Sequence, residues 1–140
     1  MLVESLEELA FASVGMTALA LNEVGQEKDL TLAQWRVLVI LGRGPMRVGT
    51  VAERIGASLP SASRLVARME FRGYVTTSPD ERDKRATLVF LAPPGRITRD
   101  RVIRRRRRLI EELVGDDGSL ASETLERGME IIAERFSRFA

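Results

Sequence analysis

Apolar residues recur at Leu2, Leu6, Leu9, Met16 and Ala20, and spacings of three, four and seven predict a helix from Leu2 to about Gln26 with a heptad-like seam. Phe11, Val14, Leu19, Leu21 and Val24 fall off that seam, so the helix is expected to be buried on two sides. Thr31 then caps "LAQWRVLVILGRG", with Gln34 three residues on in capping-box spacing and Gly42, Gly44 and Pro45 as the stop. A short third helix in "VGTVAERIGAS" ends at Gly56. Ser58 caps a fourth, which tolerates Pro60 in its first turn and runs to about Arg72 before Gly73. Along this fourth helix Ala62, Leu65, Val66 and Met69 form the core face, and Ser61, Arg64, Arg68 and Arg72 line the face beside it. "YVTTS" and "ATLVFL" read as two strands joined by the loop "PDERDK". A fifth helix is expected from Pro93 through Val114. A sixth, capped by Ser119, carries a narrow stripe of Leu125, Met129, Ile132, Phe136 and Phe139 that suits a helix partner.

These elements predict a mainly α protein of about six helices with a small β-hairpin wing. It reads as a single domain over 1–140, without repeats or low-complexity linkers. Charge sharpens the picture. The chain has 140 residues and a net charge of only +2, yet residues 41–110 hold 17 Lys and Arg against 6 Asp and Glu, while the two ends together are acidic. A basic middle between acidic flanks points to a polyanion partner. The absence of cysteine and histidine removes disulfides, thiol redox switching, triad chemistry in its usual form and nearly every zinc, haem or iron–sulfur ligand set. No base, metal set or phosphate loop supports an enzyme, and no cofactor is expected. "LAFASVGMTALAL" follows glutamates and is bracketed by charge, so neither a signal peptide nor a membrane span is read there and a cytoplasmic protein is expected.

Two short helices joined by a tight glycine turn and followed by a basic hairpin describe a winged helix-turn-helix. The fourth helix would enter the major groove of double-stranded DNA, with Ser61, Ser63 and Arg64 near base edges and Arg68 at phosphate. At the hairpin tip Arg82, Lys84 and Arg85 compete for the minor groove. A different class also fits a winged helix: a protein-interaction module, antirepressor or scaffold, without specific DNA binding. The arginines on the fourth helix and wing argue against it.

"LTLAQWRVLVIL", "VAERIGASLPSASRLVARMEFRGYV", "DERDKR" and "LAPPGR" together resemble the MarR family of bacterial transcriptional regulators over nearly the whole chain. The resemblance implies a homodimer whose first, fifth and sixth helices interlock (1–28 and 93–140 here). Leu6, Leu9, Leu125, Met129, Ile132 and Phe136 would lie in that interface, and 29–92 would form the DNA-binding part. It implies a sequence-specific regulator, expected to be a repressor on a pseudo-palindromic operator. It also implies a small aromatic or phenolic effector in a cleft that Phe11, Trp35 and Leu38 could line. By the same resemblance Arg85 is the arginine that enters the minor groove and Asp83 the aspartate that steadies the wing. The chain departs from the family at two places. Thr77 stands where an arginine usually bridges to that aspartate, leaving Arg82 or Arg72 to serve. Ala92 stands where a capping threonine is usual. The run Arg104–Arg108 points to all sides of a helix and is assigned to the dimer region, with Glu4, Glu7, Glu8, Glu111 and Glu112 as countercharges.

Overall fold

A computed structural model describes residues 1–24, 30–116, 118 and 120–139. The order is α1 (Leu2–Val24), α2 (Leu32–Leu41), β1 (Met46–Arg47), α3 (Val48–Ile55), α4 (Leu59–Phe71), β2 (Val75–Pro79), β3 (Thr87–Leu91), α5 (Pro93–Val114) and α6 (Glu123–Phe136), closed by a 3₁₀ turn at Ser137–Phe139. The six helices and the wing expected from the sequence are present. The last turn expected of α1, to Gln26, and the Ser119 cap lie outside the described residues. Among the described residues Ser122 caps α6, its hydroxyl accepting from the Leu125 amide at 3.1 Å.

The local signals work as their chemistry demands. Thr31 and Gln34 exchange both bonds of a capping box, at 3.2 and 3.0 Å, and set the start of α2. Ala92 makes no side-chain bond at the start of α5, as its missing hydroxyl requires. One element escaped the sequence pattern. Two-residue β1 pairs with β3 (Met46↔Val89, Arg47↔Leu88), so the wing is a three-stranded antiparallel sheet in the order β1-β3-β2. A strand that short has no periodicity to read.

The core is built by the middle of the chain. Val37, Leu38, Leu41, Val51, Ala62, Met69, Tyr74, Val89 and Val102 are all sealed from solvent and join α2, α3, α4, the sheet and α5. Helix α1 enters this core through Thr17, Ala20 and Leu21, with half-buried Val24 packed against it. Within one chain it is not buried on two sides: Leu9, Phe11, Val14 and Leu19 are exposed, Phe11 to 84%. Helix α6 buries nothing completely, and its seam residues Leu125, Met129 and Phe136 lie open. The core thus lies mainly in the winged half, and the two chain ends offer the large apolar surface.

The arginine run is split by the packing of α5 on α1. Arg105 bonds the Glu23 carboxylate, which it holds below the usual carboxylate range, and reaches Glu112 at 3.8 Å. Arg106 turns inward to Ser13 at 3.2 Å, where burial lowers its pKa. Glu112 is one of the expected countercharges. Glu23, 82 positions from Arg105, was not foreseen.

Candidate nucleic-acid interface

The helix-turn-helix is fixed by backbone chemistry at Gly56. Its φ of 69° is left-handed, a conformation that glycine adopts without a Cβ penalty, and it lets the Ala57 amide return to the Ala52 carbonyl at 2.9 Å. Buried Ala52 and Ala62 let α3 and α4 meet closely beside it. Arg36 of α2 adds a clamp that the sequence pattern did not suggest, donating to the carbonyls of Ile55 at 3.1 Å and Arg54 at 2.9 Å. Those carbonyls are the ones a helix C-terminus leaves without intrahelical donors.

Helix α4 is gripped on one face, by Ala62, Val66 and Met69, and free on the other. Ser58 caps it, accepting from the Ser61 amide at 3.3 Å, and the two hydroxyls lie 3.0 Å apart. Arg64 reaches back to the Ser61 hydroxyl at 3.4 Å, so these two candidates form one unit. Ser63 points instead toward the wing. It lines an open groove of about 480 Å³ with Arg47, Thr50, Asp83 and Arg85. Arg68, Lys84 and Arg85 are exposed, and their side chains make no hydrogen bond or ion pair among the described residues.

The wing is steadied differently from what the resemblance implied. Thr77 replaces the usual arginine by binding α4: its amide and hydroxyl both donate to one Glu70 carboxylate oxygen, at 2.9 and 2.7 Å. Asp83 accepts the Arg85 amide at 3.1 Å, a bond local to the turn. The long-range carboxylate is Asp80, which sequence reasoning passed over. Buried to 8% exposure, it binds Arg47 at 2.7 Å and the Arg82 amide at 2.9 Å. That amide bond above all, followed by Arg47, holds its pKa below the usual carboxylate range despite partial burial. Arg82 therefore gives its backbone N–H to Asp80, while its exposed side chain points out at the tip. Thr77→Val, which keeps the shape but removes the hydroxyl donor, is expected to cost about 1 kcal/mol in urea unfolding.

A second feature lies between α1, α2 and α6. It is an open cleft of about 530 Å³ lined by Leu6, Leu9, Trp35, Arg106, Met129, Ile132 and Phe136 among others. Of the three residues suggested for a ligand cleft, only Trp35 lines it. Phe11 projects outward, and Leu38 is sealed in the core. Arg106, which the pattern had not singled out for this, has a buried Nε without a hydrogen-bond partner among the described residues. Among the described residues no helix is long and apolar enough to cross a membrane, and no acidic group is arranged to hold a metal ion.

A three-stranded wing behind a helix pair with an open, basic second helix defines a winged helix-turn-helix protein. The model of the MarR family matches residues 28–86, the stretch from just before α2 to the wing tip. The transcriptional activatory protein BadR of Rhodopseudomonas palustris is 39% identical over 75 residues, covering 51% of this chain and 43% of BadR. The chain spans about half the length of the curated relatives it matches. Among solved structures, RV1404 of Mycobacterium tuberculosis superposes with a TM-score of 0.84 at 24% identity, over 97% of this chain and 92% of that one. NadR, solved in complex with 4-hydroxyphenylacetate, gives 0.68 at 20% identity over 96% and 91%. Both share the fold.

Proposed function

We propose that the chain is a sequence-specific, DNA-binding transcriptional regulator that acts in the cytoplasm as a homodimer on a pseudo-palindromic operator. Repression is its default, because a dimer seated over two adjacent major grooves blocks a promoter it overlaps. Residues 29–92 form the DNA-binding part, and 1–28 with 93–140 form the dimer region. The observation that carries this reading is the exposed face of α4 and the wing, where Arg68, Lys84 and Arg85 stand without protein partners beside Ser61, Ser63 and Arg64. A protein-interaction module has no need of unpaired cations at these three places.

The roles separate by surroundings. Arg64, tethered to Ser61 in the first turns of α4, reads a base edge, and Arg68, farther along the helix, meets phosphate. Arg64→Ala should relax preference at one position per half-site at a cost of about 1 to 3 kcal/mol. Arg68→Ala should weaken all sequences alike. Selection from a randomised duplex library tests this, and uniform losses in both variants would remove Arg64 from the bases.

We further propose that the cleft beside Trp35 takes a small aromatic or phenolic effector carrying an acidic group. Its volume lies in the range of small-molecule sites, its walls are largely apolar, and Arg106 supplies a desolvated cation with a spare donor. The NadR ligand, a phenol with a carboxylate, has this chemistry. Titration of 4-hydroxyphenylacetate against Trp35 fluorescence should show saturable quenching, lost in Arg106→Gln. The chain has one tryptophan, so the signal is unambiguous.

A further inference from the structure

We infer that Asp80 is the positioning residue of the wing, holding the hairpin tip to the start of α3 through Arg47 so that Lys84 and Arg85 meet DNA at a fixed distance from α4. Arg47 ends β1, on one edge of the sheet, and immediately precedes α3. Asp80 follows β2, on the other edge. The bond from Arg47 Nε and Nη2 to Asp80 Oδ2, both at 2.7 Å, therefore spans the end of the sheet and ties the wing to the helix-turn-helix.

From Asp80 the order propagates into the tip by a closed set of bonds. Its second oxygen accepts the Arg82 amide at 2.9 Å, and its own amide donates to the Ala86 carbonyl at 3.0 Å. The Ala86 amide in turn donates to the Asp83 carbonyl at 2.9 Å, and Asp83 Oδ1 takes the Arg85 amide at 3.1 Å. The backbone of both tip arginines is thus pinned while their side chains stay exposed. Glu70 and Thr77 fasten β2 to the end of α4, so the wing is held at two separated points, one on each helix of the motif. A bond from helix to tip is what transmits the place of the recognition helix to the minor-groove arginine, and a hairpin fastened only within itself would swing about its base.

The effect on DNA rests on the DNA-binding reading, whereas the effect on the wing does not, so two measurements separate them. Amide exchange in the free protein is compared among the unsubstituted chain, Asp80→Asn and Arg47→Gln. Exchange at Arg82, Arg85 and Ala86 should quicken about tenfold, the equivalent of one lost charge-assisted hydrogen bond, with α4 amides unchanged. Binding is then measured far below the unfolding temperature on duplexes differing only in A·T or G·C flanks. Both variants should lose the flank preference, and Arg47→Asp combined with Asp80→Arg should restore part of it. A pair that merely stabilises the fold would lower the unfolding temperature and leave the flank preference intact. Unchanged tip exchange in both variants, a surviving flank preference, or a double variant no better than either single one would overturn the inference. If the unsubstituted protein shows no DNA binding, the DNA reading is what fails, and the exchange result alone decides the latch.

Discussion

Gly95→Ala should lower the unfolding temperature by roughly 10 °C, the largest loss expected from any single methyl group in this chain. Gly95 is buried in the first turn of α5, where an added Cβ would overlap the Tyr74 carbonyl oxygen and stand 3.0 Å from Leu91 Cδ1. The same carbonyl accepts the Ala92 amide at 3.0 Å, so it cannot swing away without breaking the bond that starts α5. The nearest obstacle is the Tyr74 backbone, unlike Gly42, where the atoms in the way are the movable end of Arg99. Overpacking of this kind costs on the order of 3 kcal/mol. Because α5 follows directly on the wing strand β3, DNA binding by the proposed regulator should weaken in parallel. Thermal unfolding checks the prediction: a change under about 2 °C would mean that the approach of α5 to Tyr74 is looser than described.

The second large effect is expected at α6. Leu125, Met129, Ile132 and Phe136 follow one stripe, and none is fully buried within a single chain. An apolar stripe of this length, sharing a cleft with exposed Leu9 and Val14 of α1, is the surface that the proposed second copy would cover. Ile132→Asp should turn a species of twice 15.6 kDa into one of 15.6 kDa in sedimentation and weaken operator binding at least about a hundredfold, as two half-sites lose their linkage. Ile132 also lines the cleft beside Trp35, so Leu125→Asp serves as a companion. It lies outside the cleft, in the first turn of α6, where a carboxylate suits the helix dipole and leaves the isolated chain folded. Dimers persisting in both variants would move the interface elsewhere.

What the sequence made legible was chemistry that acts over a few residues. Thr31 and Gln34, Gly56, and Ser58 sit three or four positions from what they bond, and each marked its helix boundary correctly. The arginine-bearing face of α4 was equally readable, because helical periodicity carries Ser61, Arg64 and Arg68 to one side once Ala62, Val66 and Met69 are buried. What escaped was chemistry that acts across the fold. Asp80 meets Arg47 from 33 positions away, Arg36 meets Ile55 from 19, and Arg105 meets Glu23 from 82. Nothing in a run such as "PDERDK" says which of its two aspartates is covered by the sheet edge. Strand β1 was missed for the same reason, since a two-residue strand exists only by virtue of β3 beside it.

The two-sided apolar pattern of α1 was legible as pattern, but not which side its own chain would cover: Thr17, Ala20 and Leu21 are buried, while Leu9, Phe11, Val14 and Leu19 are exposed. A chain considered alone offers no distinction between a surface turned to its own core and one turned to a copy of itself. Phe11, exposed to 84%, and Leu38, fully sealed, were set together with Trp35 as apolar residues that could line the cleft the resemblance implied. The packing sends them to opposite environments, and the buried donor on Arg106 became visible only once α5 lay against α1.

Binding of the dimer to a duplex library carrying inverted repeats, measured across salt concentration, tests the central claim most directly. A regulator using α4 and the wing should select one repeat whose half-site centres lie about one helical turn apart, and its affinity should fall steeply with salt. Arg85→Ala should lower the logarithmic salt slope by about one unit per protomer, as one phosphate-neutralising cation is lost from each. Weak binding without sequence selection, or selection that survives removal of both Arg64 and Arg85, would contradict it.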